Sequence, residues 1–148
     1  MRKSVGFWAV RWPYSSPGTI WTRLELQGTV GSALAIERKK GFEAVISLFP
    51  QMKIVKTQSG TDGGKQVMEA FIKATDNLKG VCGVFAHNDN MQLGAIQAMK
   101  EAGLKPGKDF LMVSVDYVLA MKQALAAGDS NASARISTRL AVIASRRR

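Results

Sequence analysis

The stretch Val81-Cys-Gly-Val-Phe-Ala86-His-Asn-Asp89-Asn-Met91-Gln-Leu-Gly-Ala95-Ile-Gln-Ala98-Met99-Lys-Glu-Ala-Gly103 changes its period half-way, and that change decides the fold. Val81–Ala86 is apolar without alternation, as a strand is when both of its faces are covered. From Asp89 onward the apolar residues Met91, Ala95, Ala98 and Met99 recur at helical spacing, and Gly103 followed by Pro106 closes the helix. A buried strand running directly into an amphipathic helix is the repeating unit of an α/β protein.

The same alternation extends outward in both directions. Upstream, Leu24–Gln27 reads as a short strand ending at Gly28. Ser32–Phe49 reads as a helix with Ser32 as N-cap, Ala35, Phe42, Val45, Ile46 and Phe49 on one face, and Pro50 beyond its end. Met52–Thr57 is a second strand, Ser59–Gly64 a glycine-rich turn, and Lys65–Leu78 a helix with Val67, Met68, Phe71 and Ile72 inward. Downstream come a strand over Phe110–Val115, a helix over Val118–Ala127 and a last strand over Asn131–Ile136. Strands joined by helices run parallel, and right-handed crossovers place helices on both faces. The expected fold class is α/β: a doubly wound, mostly parallel sheet in three α/β/α layers, Rossmann-like, in a single lobe.

A chain of 148 residues holds one such core and is too short for two full α/β lobes. Its 46% apolar and 22% charged residues exclude a disordered chain. The net charge of +10 suggests nucleic acid until it is located. Residues 1–23 carry +4, residues 135–148 carry +5, and residues 24–134 carry only +1. The basic excess belongs to the two ends, so nucleic acid is not an expected partner. The expected division is an irregular lead over 1–23, which holds all three tryptophans, a lobe over 24–137, and a basic tail over 138–148. The apolar run Val5–Val10 is only six residues and no cleavage site follows it. The sequence as written therefore predicts no export signal, and a cytoplasmic location if it is expressed in that form.

In open parallel sheets, ligands gather beyond the carboxyl ends of the strands. Those ends fall at Gly28–Thr29, Gln58–Ser59, His87–Asn88 and Asp116, of which Asn88 and Asp116 carry the best polar groups. Each also precedes a helix, where an Asn or Asp caps free backbone N–H groups, so position leaves capping and ligand contact both open. Other chemistry fits poorly. Gly60-Thr-Asp-Gly-Gly64-Lys65-Gln66 is one residue short of a phosphate loop and lacks its Ser or Thr. Leu26 stands where a dinucleotide fingerprint needs its first glycine. The single His87 and single Cys82 suggest neither a metal centre nor a catalytic triad. The sequence predicts no enzyme and no cofactor.

Several ordered motifs carry a family resemblance. Glu25-Leu-Gln-Gly-Thr-Val-Gly31, Ala35-Ile-Glu-Arg38-Lys-Lys-Gly-Phe42 and Lys65-Gln-Val-Met-Glu-Ala-Phe71 open it. Ala86-His-Asn-Asp89, Gly94-Ala-Ile-Gln-Ala98, Glu101-Ala-Gly-Leu-Lys-Pro-Gly-Lys-Asp109, Val113-Ser-Val-Asp116 and Ala127-Gly-Asp-Ser-Asn-Ala132 continue it. Together they resemble the C-terminal lobe of ribose-type periplasmic sugar-binding proteins, in the galactofuranose-binding branch. The resemblance implies two lobes that close over a monosaccharide, galactofuranose- or ribose-like, and present it to the permease of an ABC importer in the periplasm. It also implies that Arg38, Asn88 and Asp116 contact sugar hydroxyls.

Two local departures accompany the likeness. The turn Gln58-Ser-Gly-Thr-Asp-Gly-Gly64 is shorter than the family's and lacks the aromatic that packs on the sugar. Tyr117 stands after Asp116 where the family has glycine, and would crowd the pocket or stand in for the lost ring. The alternatives are the effector lobe of a LacI-type regulator, and an orphan lobe that self-associates as a homodimer through its inter-lobe face.

Overall fold

The computed structural model describes residues 21–59 and 63–135. The sequence-based expectations for the lead before Trp21, the middle of the glycine-rich turn and the basic tail lie outside the described residues. Five parallel strands form one sheet in the order β2-β1-β3-β4-β5. They are β1 (Trp21–Gln27), β2 (Met52–Ser59), β3 (Val81–Ala86), β4 (Leu111–Val115) and β5 (Ala132–Ala134). Between them lie α1 (Ala33–Ile46), α2 (Gly64–Ala74), α3 (Asp89–Glu101) and α4 (Leu119–Ala127). The doubly wound α/β expectation holds. No helix among the described residues is long and apolar enough to cross a membrane.

The strand order explains which helix covers which face. The chain steps from β1 out to β2, then returns past β1 to β3 and continues to β5. With right-handed crossovers, reversing direction along the sheet moves the connecting helix to the opposite face. Accordingly α1 packs through Phe42 and Ile46 on one face, against Phe85, Val113 and Val115. Helices α2, α3 and α4 share the other, where Phe71, Met99 and Met121 meet Leu24, Leu26, Val84 and Met112. Strand alternation sorts these sets, since neighbours along a strand face opposite ways.

Several boundaries differ from the sequence reading, and four of them have a local reason. β1 begins at Trp21 and pairs with Met52. α1 stops at Ile46 because the chain tightens into i→i+3 bonds, Leu48 N–H to Val45 and Phe49 N–H to Ile46, before Pro50. α2 stops at Ala74 because Asp76, Asn77 and Leu78 turn left-handed, with φ of 47°, 57° and 61°. Asp and Asn tolerate that region, whereas Leu78 is held there by complete burial. β5 is confined to Ala132–Ala134, with Asn131 donating from its N–H to Met112 O.

Helices α2 and α3 cross with their backbones in contact. A Cβ on Gly64 would lie 2.1 Å from the Met91 carbonyl oxygen, and one on Gly94 would lie 2.7 Å from Lys65 N. The glycine the sequence offered to a phosphate loop is used here for helix packing. Gly64→Ala must therefore separate two backbones, and the expected cost is about 1–3 kcal/mol. Chemical denaturation of the variant should show a lowered midpoint with an unchanged slope; an unaltered midpoint would contradict the close crossing.

Candidate functional site

The reversal between β1 and β3 places the loops after these strands on opposite faces, which opens a crevice at their carboxyl ends. Gln27 ends β1, His87 and Asn88 follow β3, and Asp116 follows β4. Arg38 reaches this edge from α1. Its place is set one turn further along the helix by Phe42, which stacks on Phe85 of β3 with ring centroids 4.3 Å apart. Anchored there, α1 lays the guanidinium across the strand ends: Nη1 donates to the His87 carbonyl, and Nη2 donates to Asp116 Oδ1 at 2.8 Å.

Asn88 caps α3, its Oδ1 accepting from Met91 N–H at 2.8 Å. Capping uses only the oxygen. The Nδ2 amide has no acceptor among the described residues, so both of its donors remain for a ligand. Asp116 differs. It caps nothing: α4 is preceded by Val118, whose N–H is taken by Asp89 Oδ2 at 2.7 Å. Asp116 instead holds φ at 123° and Tyr117 at 67°, two successive positive values outside glycine. Asp116 N–H donates to Ala134 O and Tyr117 N–H to Ser133 Oγ, and these bonds retain the strained corner. The Tyr117 ring lies 5.1 Å from Lys122 Nζ of α4 and is 37% exposed. It therefore stands at the rim, held by a cation–π contact.

The structure thus brings Arg38 and Asp116 into direct contact and seats Asn88 next to the carbonyl that Arg38 holds. The Arg38 Nε is buried without a partner among the described residues. Burial pushes the Asp116 carboxyl above its ordinary value; the Arg38 charge and hydrogen bond counteract this, and the Asp89 charge adds to it. No cluster of His, Cys, Asp and Glu fit for a metal ion occurs among the described residues.

Two supporting residues were not found by sequence reasoning. Asp89, fully buried, accepts from Ser114 Oγ, from Ser133 Oγ at 2.7 Å and from Val118 N–H, tying α3 to β4, β5 and the start of α4. Glu25, also fully buried, meets His87 Nε2 at 3.0 Å and accepts from Gln27 Nε2 at 3.2 Å. An acid between Leu24 and Leu26 was the available signal, because alternation sends it to the α1 face beside whatever β3 presents there.

A model of the periplasmic binding protein domain matches residues 17–141. The galactofuranose-binding protein of Escherichia coli is 49% identical over 142 residues, covering 94% of this chain and 44% of that protein. A crystallised galactofuranose-binding protein superposes with a TM-score of 0.82 at 50% identity, over 91% of this chain and 46% of that one. The arabinose-transporter binding component of Shewanella sp. ANA-3, bound to α- and β-L-arabinofuranose, superposes with a TM-score of 0.81 at 47% identity, over 92% and 44%. The chain spans less than half the length of each.

A carboxyl whose proton affinity is raised by folding destabilises the fold once ionised. Its cost is present at neutral pH and is relieved as pH falls toward the ordinary aspartate value of about 4. Asp116→Asn, which keeps an acceptor for Arg38, should melt no lower than the parent at pH 7. The difference between variant and parent should shrink on acidification to pH ~4. A variant several degrees less stable at pH 7 would show that the ion pair outweighs desolvation.

Proposed function

The chain belongs to the periplasmic binding protein domain family, and from that premise we propose that it forms the sugar-holding lobe of the solute-binding component of a bacterial ABC importer. One observation carries this reading: the Arg38–Asp116 pair and the Asn88 amide converge at the carboxyl edge, where the strand order reverses. An ionised Asp accepts from hydroxyls, an Arg fork and an Asn amide donate to them, and together they orient a polyol without changing a covalent bond. The preferred ligand is a monosaccharide in its furanose form, in keeping with the sugars for which the galactofuranose- and arabinose-binding relatives are named. The proposed roles are Arg38 and Asn88 as donors and Asp116 as acceptor, with no catalytic step. The permease of the importer is the partner, and the periplasm is the place of action.

A sugar enclosed between two lobes shares its hydrogen bonds between them. Removing roughly four such bonds at ~1 kcal/mol each moves a micromolar site to about millimolar. Calorimetric titration of the 148-residue chain with D-galactose, L-arabinose and D-ribose should therefore find weak binding at most. Arg38→Ala should abolish what remains. Tight micromolar binding by the monomer, or binding indifferent to Arg38→Ala, would refute the assignment.

A second reading, self-association, has its own support. Val30, Leu34, Tyr117 and Leu119 are exposed apolar residues in the segments that follow β1 and β4, at the carboxyl edge. Leu119 is 71% and Val30 78% exposed. Such surface favours association. Size-exclusion chromatography at rising concentration should show a shift toward dimer that Val30→Asp with Leu119→Asp removes; a monomer at all concentrations would exclude it.

A further inference from the structure

We propose that Glu25 and His87 are positioning residues of the sugar site, acting through Arg38. This rests on the sugar-lobe reading above and adds two residues that no contact with a sugar could reveal. Both are enclosed, with Glu25 at 0% and His87 at 1% exposure.

Three observations carry the proposal. First, Arg38 takes half its orientation from a backbone atom, the His87 carbonyl. Any rotation of the peptide after His87 therefore moves the fork that reaches Asp116. Second, His87 lies one residue beyond the last ladder residue of β3, so that peptide is not fixed by strand pairing on both sides. It is held by the His87 N–H bond to Leu26 O at 2.9 Å, and by the ring, whose Nε2 lies 3.0 Å from Glu25 Oε1. Third, Glu25 is itself oriented, since Gln27 Nε2 donates to its other oxygen. The ring packs beside Phe85, centroids 5.5 Å apart, in the same stack that anchors Phe42 of α1. One column thus runs from β1 through β3 to both the helix that carries Arg38 and the carbonyl that receives it.

Energetics sharpen the inference. A buried carboxylate and imidazole bring little net stability, because desolvation offsets their attraction, and apolar residues of like volume do as well or better. His87 Nδ1 is buried without a partner among the described residues, a further cost. What the pair supplies, and an apolar pair would not, is a directional bond that fixes the His87 peptide.

The test compares three proteins: the full chain, the double variant Glu25→Leu/His87→Phe, and His87→Gln, whose amide reaches the place of Nε2. Two readouts are taken, the Arg38 Nε–Hε NMR signal and the calorimetric affinity for L-arabinose. The double variant should melt at or above the parent, yet lose the distinct Arg38 signal to averaging. Its affinity should fall about tenfold, as when a group that orients a ligating residue is removed. His87→Gln should restore the signal and bring affinity back near the parent's. Should the double variant not fold, Glu25→Gln/His87→Leu carries the same expectation without a stranded carboxylate. A folded double variant with the parent's Arg38 signal and affinity would overturn the proposal. Sugar binding by the parent that is indifferent to Arg38→Ala would sink the functional reading, whereas binding below detection agrees with a single lobe; in either case the Arg38 signal still decides the positioning role.

Discussion

Everything at the carboxyl edge follows from a steric rule about connections. A strand, a helix and the next parallel strand wind right-handed, so a chain that reverses its march along a sheet must change faces. This chain reverses once, between β1 and β3. The reversal sends α1 to one face and α3 to the other, and leaves the ends of their strands without a helix above them. Arg38, Asn88 and Asp116 occupy that gap from three elements far apart in sequence, so their proximity is a product of topology.

Within the gap, the arrangement favours availability over stability. The Asp116 corner keeps two positive φ values in residues with side chains, and its carboxyl is held where burial disfavours its charge. Arg38 is spread over a carbonyl and a carboxylate that follow different strands. Strain, desolvation and divided hydrogen bonds all cost stability, and they are concentrated at the proposed binding edge. The cost is covered by the apolar layers on either side, with Leu24, Leu26, Met68, Phe71 and Met99 completely buried on one face and Phe42, Phe85 and Val115 buried on the other.

The fold was legible because periodicity is a direct record of burial. Val67, Met68, Phe71 and Ile72 repeat at helical spacing because α2 lies on the sheet, and β3 lacks alternation because both its faces are covered. Boundaries were less legible where hydrogen bonding decides. The i→i+3 turns after Ile46 and the left-handed Asp76–Leu78 segment leave no apolar signature. The candidate site was half legible. Strand ends pointed to Asn88 and Asp116, but Arg38 came from likeness to a family, because an arginine next to two lysines reads as a solvated helix surface. Position left capping open for both residues; the structure gives the cap to Asn88 and none to Asp116. The Glu25–His87 and Asp89 networks were hidden because each depends on which strands are neighbours, which a linear reading does not contain.

The crossing of α2 and α3 has a mechanical consequence. Where Gly64 and Gly94 let main chains touch, there is no cushion of rotatable side chains to absorb a push. Two helices joined in this way behave as a single stiff plate. Asn88 starts α3, and therefore sits on the leading margin of that plate. A load applied to the amide is passed to α2 as whole-body movement, with little local give.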